Sequence, residues 1–167
     1  MAKVKSKKFV KTAEALVGNP YLWGGNGETL KDILTTYAKN NGQADEATAT
    51  MIDFINLTKQ KVNLEDIHFQ DCSGLVVEVL RKLKAVNSTF DLTAEGLYQI
   101  CTPVKKAQRG ALCFYYQNGK HNHVGICVDK STVVHALSTK TGVIIELISE
   151  RADKWKDFGL LDKYIEY

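Results

Sequence analysis

The stretch Asp71-Cys72-Ser73-Gly74-Leu75-Val76-Val77-Glu78-Val79-Leu80-Arg81-Lys82-Leu83 decides how the rest of the chain is read. Val76, Val79, Leu80 and Leu83 recur at helical spacing, with Leu75 and Val77 flanking them. Glu78 stands four residues before Lys82, a favourable pair on a helix surface. The spacing therefore predicts a helix that begins near Asp71-Cys72-Ser73, with a cysteine in its first turn. Helix N-termini carry unpaired N–H groups and a partial positive charge. Both favour a thiolate and draw its pKa below the free value of about 8.5. The neighbours of Cys72 are small or polar, and Gly74 lets another group approach the backbone. Cys72 is thus a candidate nucleophile, with its own N–H or that of Ser73 available to an oxyanion. The competing reading is a small buried apolar residue.

Moving outward, the apolar period changes. Before the cysteine, Phe9, Val10, Ala13, Leu16 and Val17 form a helical stripe, with Ser6 as N-cap, Gly18 as the stop and Pro20 beyond it. Residues 28–70 read as a helical insertion, carrying Leu30, Ile33, Leu34 and Tyr37, then Ala47, Met51, Ile52 and Ile55. A shorter helix is expected over Thr93–Ile100, capped by Thr93 or Asp91. After residue 102 the period is two: Ala111–Tyr116, Val124–Asp129, Thr132–Leu137 and Val143–Ile148 read as strands. The turns at Asn118-Gly119, 129–131 and 140–142 make the sheet antiparallel. Helices first and strands second is an α+β order.

Composition bounds the function. The chain has 167 residues, enough for one domain with its own core. Hydrophobic residues make up 44% and charged residues 25%, which excludes a disordered, collagen-like or coiled-coil chain. A net charge of +3 is too mild to argue for nucleic acid, though it favours anionic polymers. The four cysteines, Cys72, Cys101, Cys113 and Cys127, contain no C-x-x-C pair, so zinc ribbons and dithiol redox motifs are unsupported. Cys101, Cys113 and Cys127 read as packing thiols. No run approaches the roughly 20 apolar residues of a spanning helix. The basic start, Met1 to Lys8, is not followed by the apolar core of a signal peptide.

A thiol nucleophile needs a base. His123 opens one predicted strand and His135 lies in the next, and pairing about the turn at 129–131 brings them close. His123 can take the Cys72 proton while His135 orients the ring, the logic of a Cys-His-X triad. The plainer alternative is two satisfied sheet histidines. A rival constellation is His121-x-His123 on one strand face, a zinc pair with His135 or a cysteine as third ligand. Gly24, Gly25 and Gly27 fit neither a Walker loop nor G-x-G-x-x-G, and read as a tight turn.

Four segments together resemble a known family. Asp71-Cys72-Ser73-Gly74-Leu75-Val76 resembles the nucleophile motif of the NlpC-type, papain-like cell-wall peptidases, and Pro20-Tyr21-Leu22-Trp23-Gly24-Gly25 resembles the segment before it. His123-Val124-Gly125-Ile126 and Val134-His135-Ala136 resemble the two histidine motifs, in the same order. The resemblance implies Cys72 as nucleophile, His123 as general base and His135 as orienting residue. It implies Tyr21 near the nucleophile, and Asp71 and Ser73 as supports for the substrate's peptide stem. The implied fold is α+β, a papain-like core with the nucleophile helix packed on an antiparallel sheet. The implied reaction, without metal or cofactor, is cleavage of peptidoglycan stem peptides between D-glutamate and a diamino acid.

The sequence departs from that pattern in two places. Positions 26–70 place 45 residues between Gly25 and Asp71, where the family has about a dozen, and Arg109-Gly110-Ala111 stands where Pro-Gly-Asp is usual. We therefore expect one domain over residues 1–167 with a helical insertion at about 28–70, which walls the groove or meets a phage or tail-protein partner. The expected partners are peptidoglycan stem peptides, with no nucleic acid and no membrane span. The expected place of action is the cell wall, reached through a phage, a leader absent from this chain or a larger protein. The competing functions are an N-acetylmuramoyl-L-alanine amidase, a thiol acyltransferase on the same fold, and a non-catalytic wall-binding module.

Overall fold

The computed structural model describes residues 3–33, 48, 49, 53 and 67–167. Its centre is a six-stranded sheet in the order β4-β9-β5-β6-β7-β8. The strands are β4 (Thr102–Val104), β5 (Leu112–Gln117), β6 (Lys120–Cys127), β7 (Thr132–Ser138), β8 (Gly142–Leu147) and β9 (Trp155–Leu160). All the pairs are antiparallel. The four strands expected from period-two patterning are β5 to β8, within a few residues at their ends. β9 inserts between β4 and β5, and neither β4 nor β9 stands out in the sequence.

Two helices are laid on this sheet. α1 (Ser6–Glu14) buries Phe9, Val10 and Ala13. Its cap is Lys5, which makes no side-chain cap hydrogen bond, so Ser6 is the first helical residue and not the expected N-cap. The chain leaves α1 through Gly18 at φ +92°, the left-handed stop that glycine permits. β1 (Val4–Lys5) precedes α1 and pairs in parallel with β10 (Ile165–Glu166).

The helix that decides the fold lies deeper. Its span is Cys72–Lys82, and every residue from Gly74 to Leu80 is buried. Leu75, Val76, Val79 and Leu80 pack with Phe9 and Val10 of α1 and with Phe114, Val124, Ile126 and Val134 of the sheet. Burying each of these side chains contributes roughly 1.5–3 kcal/mol, so this contact dominates the fold energetically. A smaller cluster of Ala111, Cys113, Cys127, Val133 and Trp155 covers the opposite sheet face. Cys113 and Cys127 are thus packing residues there.

The described parts of the 28–70 segment show how it is attached. β2 (Asn26–Thr29) and β3 (His68–Gln70) are antiparallel partners, with Asn26 opposite Gln70. Within the segment α2 (Leu30–Asp32) is one helical turn with a capping box between Thr29 and Asp32. The segment, read overall as a helical insertion with its end at 62–69 unassigned, thus starts and ends on paired strands. The reason is side-chain pairing across the two ends, which a one-segment periodicity does not register. The expected helical positions Leu34, Tyr37, Ala47, Met51, Ile52 and Ile55 lie outside the described residues. With these labels the cysteine helix is α3 (Cys72–Lys82), and α4 (Ala94–Gln99) follows with Thr93 as its cap, accepting from the Gly96 N–H.

Candidate active site

Asp71 builds the start of α3. Its Oδ1 accepts from the Gly74 N–H at 2.7 Å and from the Ser73 hydroxyl at 3.0 Å. Its Oδ2 accepts from the Gly24 N–H at 3.0 Å. The carboxylate is thus both helix cap and tether for the Tyr21–Gly25 segment, so any role of Asp71 or Ser73 toward a stem peptide is shared with this capping. What approaches Gly74 is Gly25: a Cβ on Gly74 would fall 1.7 Å from the Gly25 carbonyl oxygen. Only glycine fits there, and the contact presses the first turn of α3 against the Tyr21–Gly25 segment. Tyr21 is half-buried and forms an isolated bridge to Gln70, next to the cysteine motif.

Cys72 is half-buried and free of disulfide. Backbone N–H groups of Val124, Ser73 and Cys72 itself favour its thiolate. Burial opposes them, aided by the Asp71 charge, and pushes the thiol up to about 12. The sequence expectation of a pKa below the free value is therefore reversed. Desolvation of the anion outweighs the helix N-terminus.

Val124, whose N–H reaches the thiol, is the residue after His123 on β6. Ile126 opposite Val134 fixes the β6–β7 register. Extending that pairing sets His135 opposite Gly125 and places His123 diagonally on the same face. A Cβ on Gly125 would come within 2.5 Å of Val133 Cγ2 and 3.1 Å of His135 Cβ. Glycine is what lets the His135 strand lie this close. Nε2 of His123 is 2.8 Å from Nδ1 of His135. Tyr115 stacks on His123 at 4.6 Å, and Trp155 packs against both imidazoles.

The structure thus brings His123 and His135 into contact and sets Cys72 against the same strand. No direct hydrogen bond joins Cys72 to His123 among the described residues. Such bonds are often long before substrate binds. Burial, followed by the charges of His135, Arg151 and Lys154, pushes His123 down to about 3. Burial and then Arg151 push His135 down to about 4. Both rings are therefore neutral near pH 7, and His123 can act as a proton acceptor.

Two further groups complete the surroundings. His135 is fully buried, and its Nε2 lies 3.0 Å from Oε1 of Glu146 on β8. The approach is oblique, a close contact short of a full hydrogen bond, and among the described residues His135 Nε2 has no other polar partner. Glu146 in turn accepts from Arg151 Nε at 2.8 and 3.0 Å. Sequence reasoning missed Glu146, although one acidic residue within Val143-Ile144-Ile145-Glu146-Leu147 is a legible signal of a buried role. Beside His123 an open cavity of about 490 Å³ is lined by Tyr115, Asn122, Leu137, Asp153 and Lys154, among others.

The rival zinc pair does not assemble. The β5–β6 register shifts between Tyr115 and Tyr116, so His123 faces Tyr115 while His121 faces Tyr116. This bulge undoes the i, i+2 alternation and gives each ring its own neighbours. His121 stacks on Tyr98 at 3.7 Å, with Nδ1 2.9 Å from Glu95 and Nε2 3.1 Å from Asp157.

Residues 18–160 match the model of the NlpC/P60 family, and the chain belongs to that family. None of the curated proteins matches it. Similar solved structures include the NlpC/p60 domain of the peptidoglycan hydrolase SagA, at 18% identity and TM-score 0.60, covering 93% of this chain and 98% of that one. The P60 domain of a Mycobacterium avium subspecies paratuberculosis antigen is 19% identical with TM-score 0.59, covering 97% and 96%. The peptidoglycan hydrolase RipB of Mycobacterium tuberculosis is 20% identical with TM-score 0.60, covering 97% and 66%. An NlpC/P60 family protein from Bacillus cereus is 14% identical with TM-score 0.63, and this chain spans 40% of its length. At these identities the likeness shows the shared fold.

Proposed function

We propose that this NlpC/P60 chain is a cysteine-type peptidoglycan hydrolase that cuts stem peptides, with Cys72 as nucleophile, His123 as general base and His135 as the residue that orients it. The observation that carries the reading is the seating of a helix-N-terminal cysteine against the strand residue that follows His123, with His123 bonded to His135. Family membership and the hydrolase relatives support the substrate class.

The resting pair is a neutral thiol and a neutral imidazole. Proton transfer therefore accompanies attack and does not precede it as a stored ion pair. Cys72 Sγ bonds to the amide carbonyl carbon as its proton passes to His123, and the carbonyl oxygen takes the electron pair. Backbone N–H groups at the start of α3 then hold that oxyanion. Collapse expels the amine, which takes the proton from His123 and leaves a thioester. Water, deprotonated by His123, then hydrolyses the thioester and frees the Cys72 thiol.

The cavity beside His123 offers a place for the peptide stem. Asp153 and Lys154 supply one charge of each sign there, matching the ammonium and carboxylate groups of a diamino-acid residue. Tyr21, Asp71 and Ser73 border the nucleophile from the other side. The preferred bond is D-glutamyl to diamino acid.

Digestion of purified cell walls tests this reading. Mass spectrometry of the fragments should reveal new diamino-acid amines, and Cys72→Ala should abolish them. Free N-terminal alanine would instead make the protein an amidase. Equal lysis by Cys72→Ala would remove the nucleophile assignment.

A further inference from the structure

The contacts of His135 carry a consequence for the proton on His123. Glu146 is buried on β8, opposite Val133 of β7, and its carboxylate accepts from Arg151. The other carboxylate contact is Nε2 of His135, at 3.0 Å. A carboxylate offers only lone pairs. The ring nitrogen that faces it must therefore be the protonated one, since two lone pairs at 3.0 Å repel. His135 is neutral, so protonation at Nε2 leaves a lone pair on Nδ1. That lone pair faces Nε2 of His123 at 2.8 Å. Nε2 of His123 must then carry its proton, which leaves Nδ1 of His123 bare and able to accept the thiol proton.

We infer that Glu146, held by Arg151, is a positioning residue that sets the tautomers of His135 and, through it, of His123. The inference rests on the reading of Cys72 and His123 as nucleophile and base. Nothing in the chain of contacts needs to rearrange when His123 becomes an imidazolium, because Nε2–H continues to donate to His135. The charged and titratable groups packed around the relay are Arg151, Lys154, Asp153, Tyr115 and Cys113. Arg151 Nε holds the carboxylate by donating to both oxygens, at 2.8 Å to Oε1, the oxygen that His135 faces, and at 3.0 Å to Oε2.

This makes Glu146→Leu an informative change. It removes both oxygens, so a proton on His135 Nε2 would be buried with no acceptor among the described residues. His135 Nε2 must then present a lone pair, Nδ1 the proton, and His123 is forced into the tautomer with Nδ1 protonated. A base in the wrong tautomer has no acceptor for the thiol, and in a comparable triad such a change costs about 10⁴-fold in rate.

The direct reading is ¹⁵N NMR of the histidine rings at pH 7, on the full chain without substrate. The parent should show protonated Nε2 and bare Nδ1 on both His123 and His135. Folded Glu146→Leu should show the reverse on both, with Cys72 alkylation by iodoacetamide at least about tenfold slower and wall hydrolysis slower by on the order of 10³–10⁴-fold. A parent spectrum with His135 protonated at Nδ1 overturns the inference, whether or not the variant folds. So does a folded Glu146→Leu with parental tautomers and parental alkylation. Neither spectroscopy nor alkylation requires a wall substrate, so failure to cleave peptidoglycan would count against the proposed function and leave this test standing.

Discussion

β6 carries two histidines two residues apart that have opposite fates. His121 is closed in: both ring nitrogens meet carboxylates, Glu95 on one side and Asp157 on the other, and Tyr98 covers its face. His123 is open by design of its neighbours: one nitrogen is fixed by His135, its faces meet aromatic rings, and the other nitrogen has no side-chain hydrogen bond among the described residues. The difference comes from one extra residue in a bulge, not from residue type. It teaches that an imidazole becomes available for proton transfer when its partners satisfy one end only, and becomes a structural staple when they satisfy both.

The sharpest break of this contrast is a pair of alanine substitutions. His123→Ala should cost at least about 10⁴-fold in wall hydrolysis, as loss of a triad base does, while thermal unfolding moves little. His121→Ala should do the reverse. It leaves a cavity and two unpaired carboxylates, with a loss of about 2–4 kcal/mol by urea unfolding and hydrolysis within about tenfold of the parent. If both variants lose activity equally while folded, the two histidines do not differ in role.

Gly125→Ala probes the packing that sets His135 beside His123. The new methyl meets Val133 Cγ2 at 2.5 Å, so stability should fall by about 1–3 kcal/mol, and activity should fall with it because His135 is displaced.

Acid titration separates the sites by sign. His123 and His135 have folded pKa values lowered from 6.5 to about 3 and about 4. Between those values and 6.5 the unfolded chain binds more protons than the folded one, so stability rises with pH. The contribution of the two rings is fully present above about pH 6.5 and lost as the pH falls toward 3 to 4. Unfolding free energies at pH 7 and pH 5 should show this drop, and His123→Ala should reduce the slope. The smallest effect is expected for Asp157→Asn on the His121 side. That carboxylate is 40% exposed, and its loss should cost less than about 1 kcal/mol with hydrolysis unchanged.

Much of this was legible in the chain. The start of α3 could be read because Asp71 is a good cap and the apolar stripe after it is regular. The meeting of His123 and His135 could be read because the turn between their strands is marked by Asp129, whose side chain accepts from the Ser131 and Thr132 N–H groups. Other features depend on contacts between distant segments. The β6 bulge adds Asn122 between His121 and His123 without any residue type that announces it. β9 alternates poorly, since Lys156, Asp157 and Gly159 dilute the apolar pattern of Trp155, Phe158 and Leu160. The thiol of Cys72 could not be placed on the pKa scale from a helix N-terminus alone, because the opposing cost is set by what covers it.

The junction at the base of the insertion has a mechanical consequence. The segment leaves at Asn26 and returns at Gln70, directly opposite each other. Beside that junction, the Asp71 N–H donates to the Gly25 carbonyl at 2.9 Å, and Asp71 also caps the helix of Cys72. A pull on the insertion loads this ladder in tension before it reaches the core, and the first residue past the ladder is the cap itself. Attachment of the insertion and alignment of the Cys72 helix therefore share one hinge point, so a load borne by the first is transmitted to the second over a single residue.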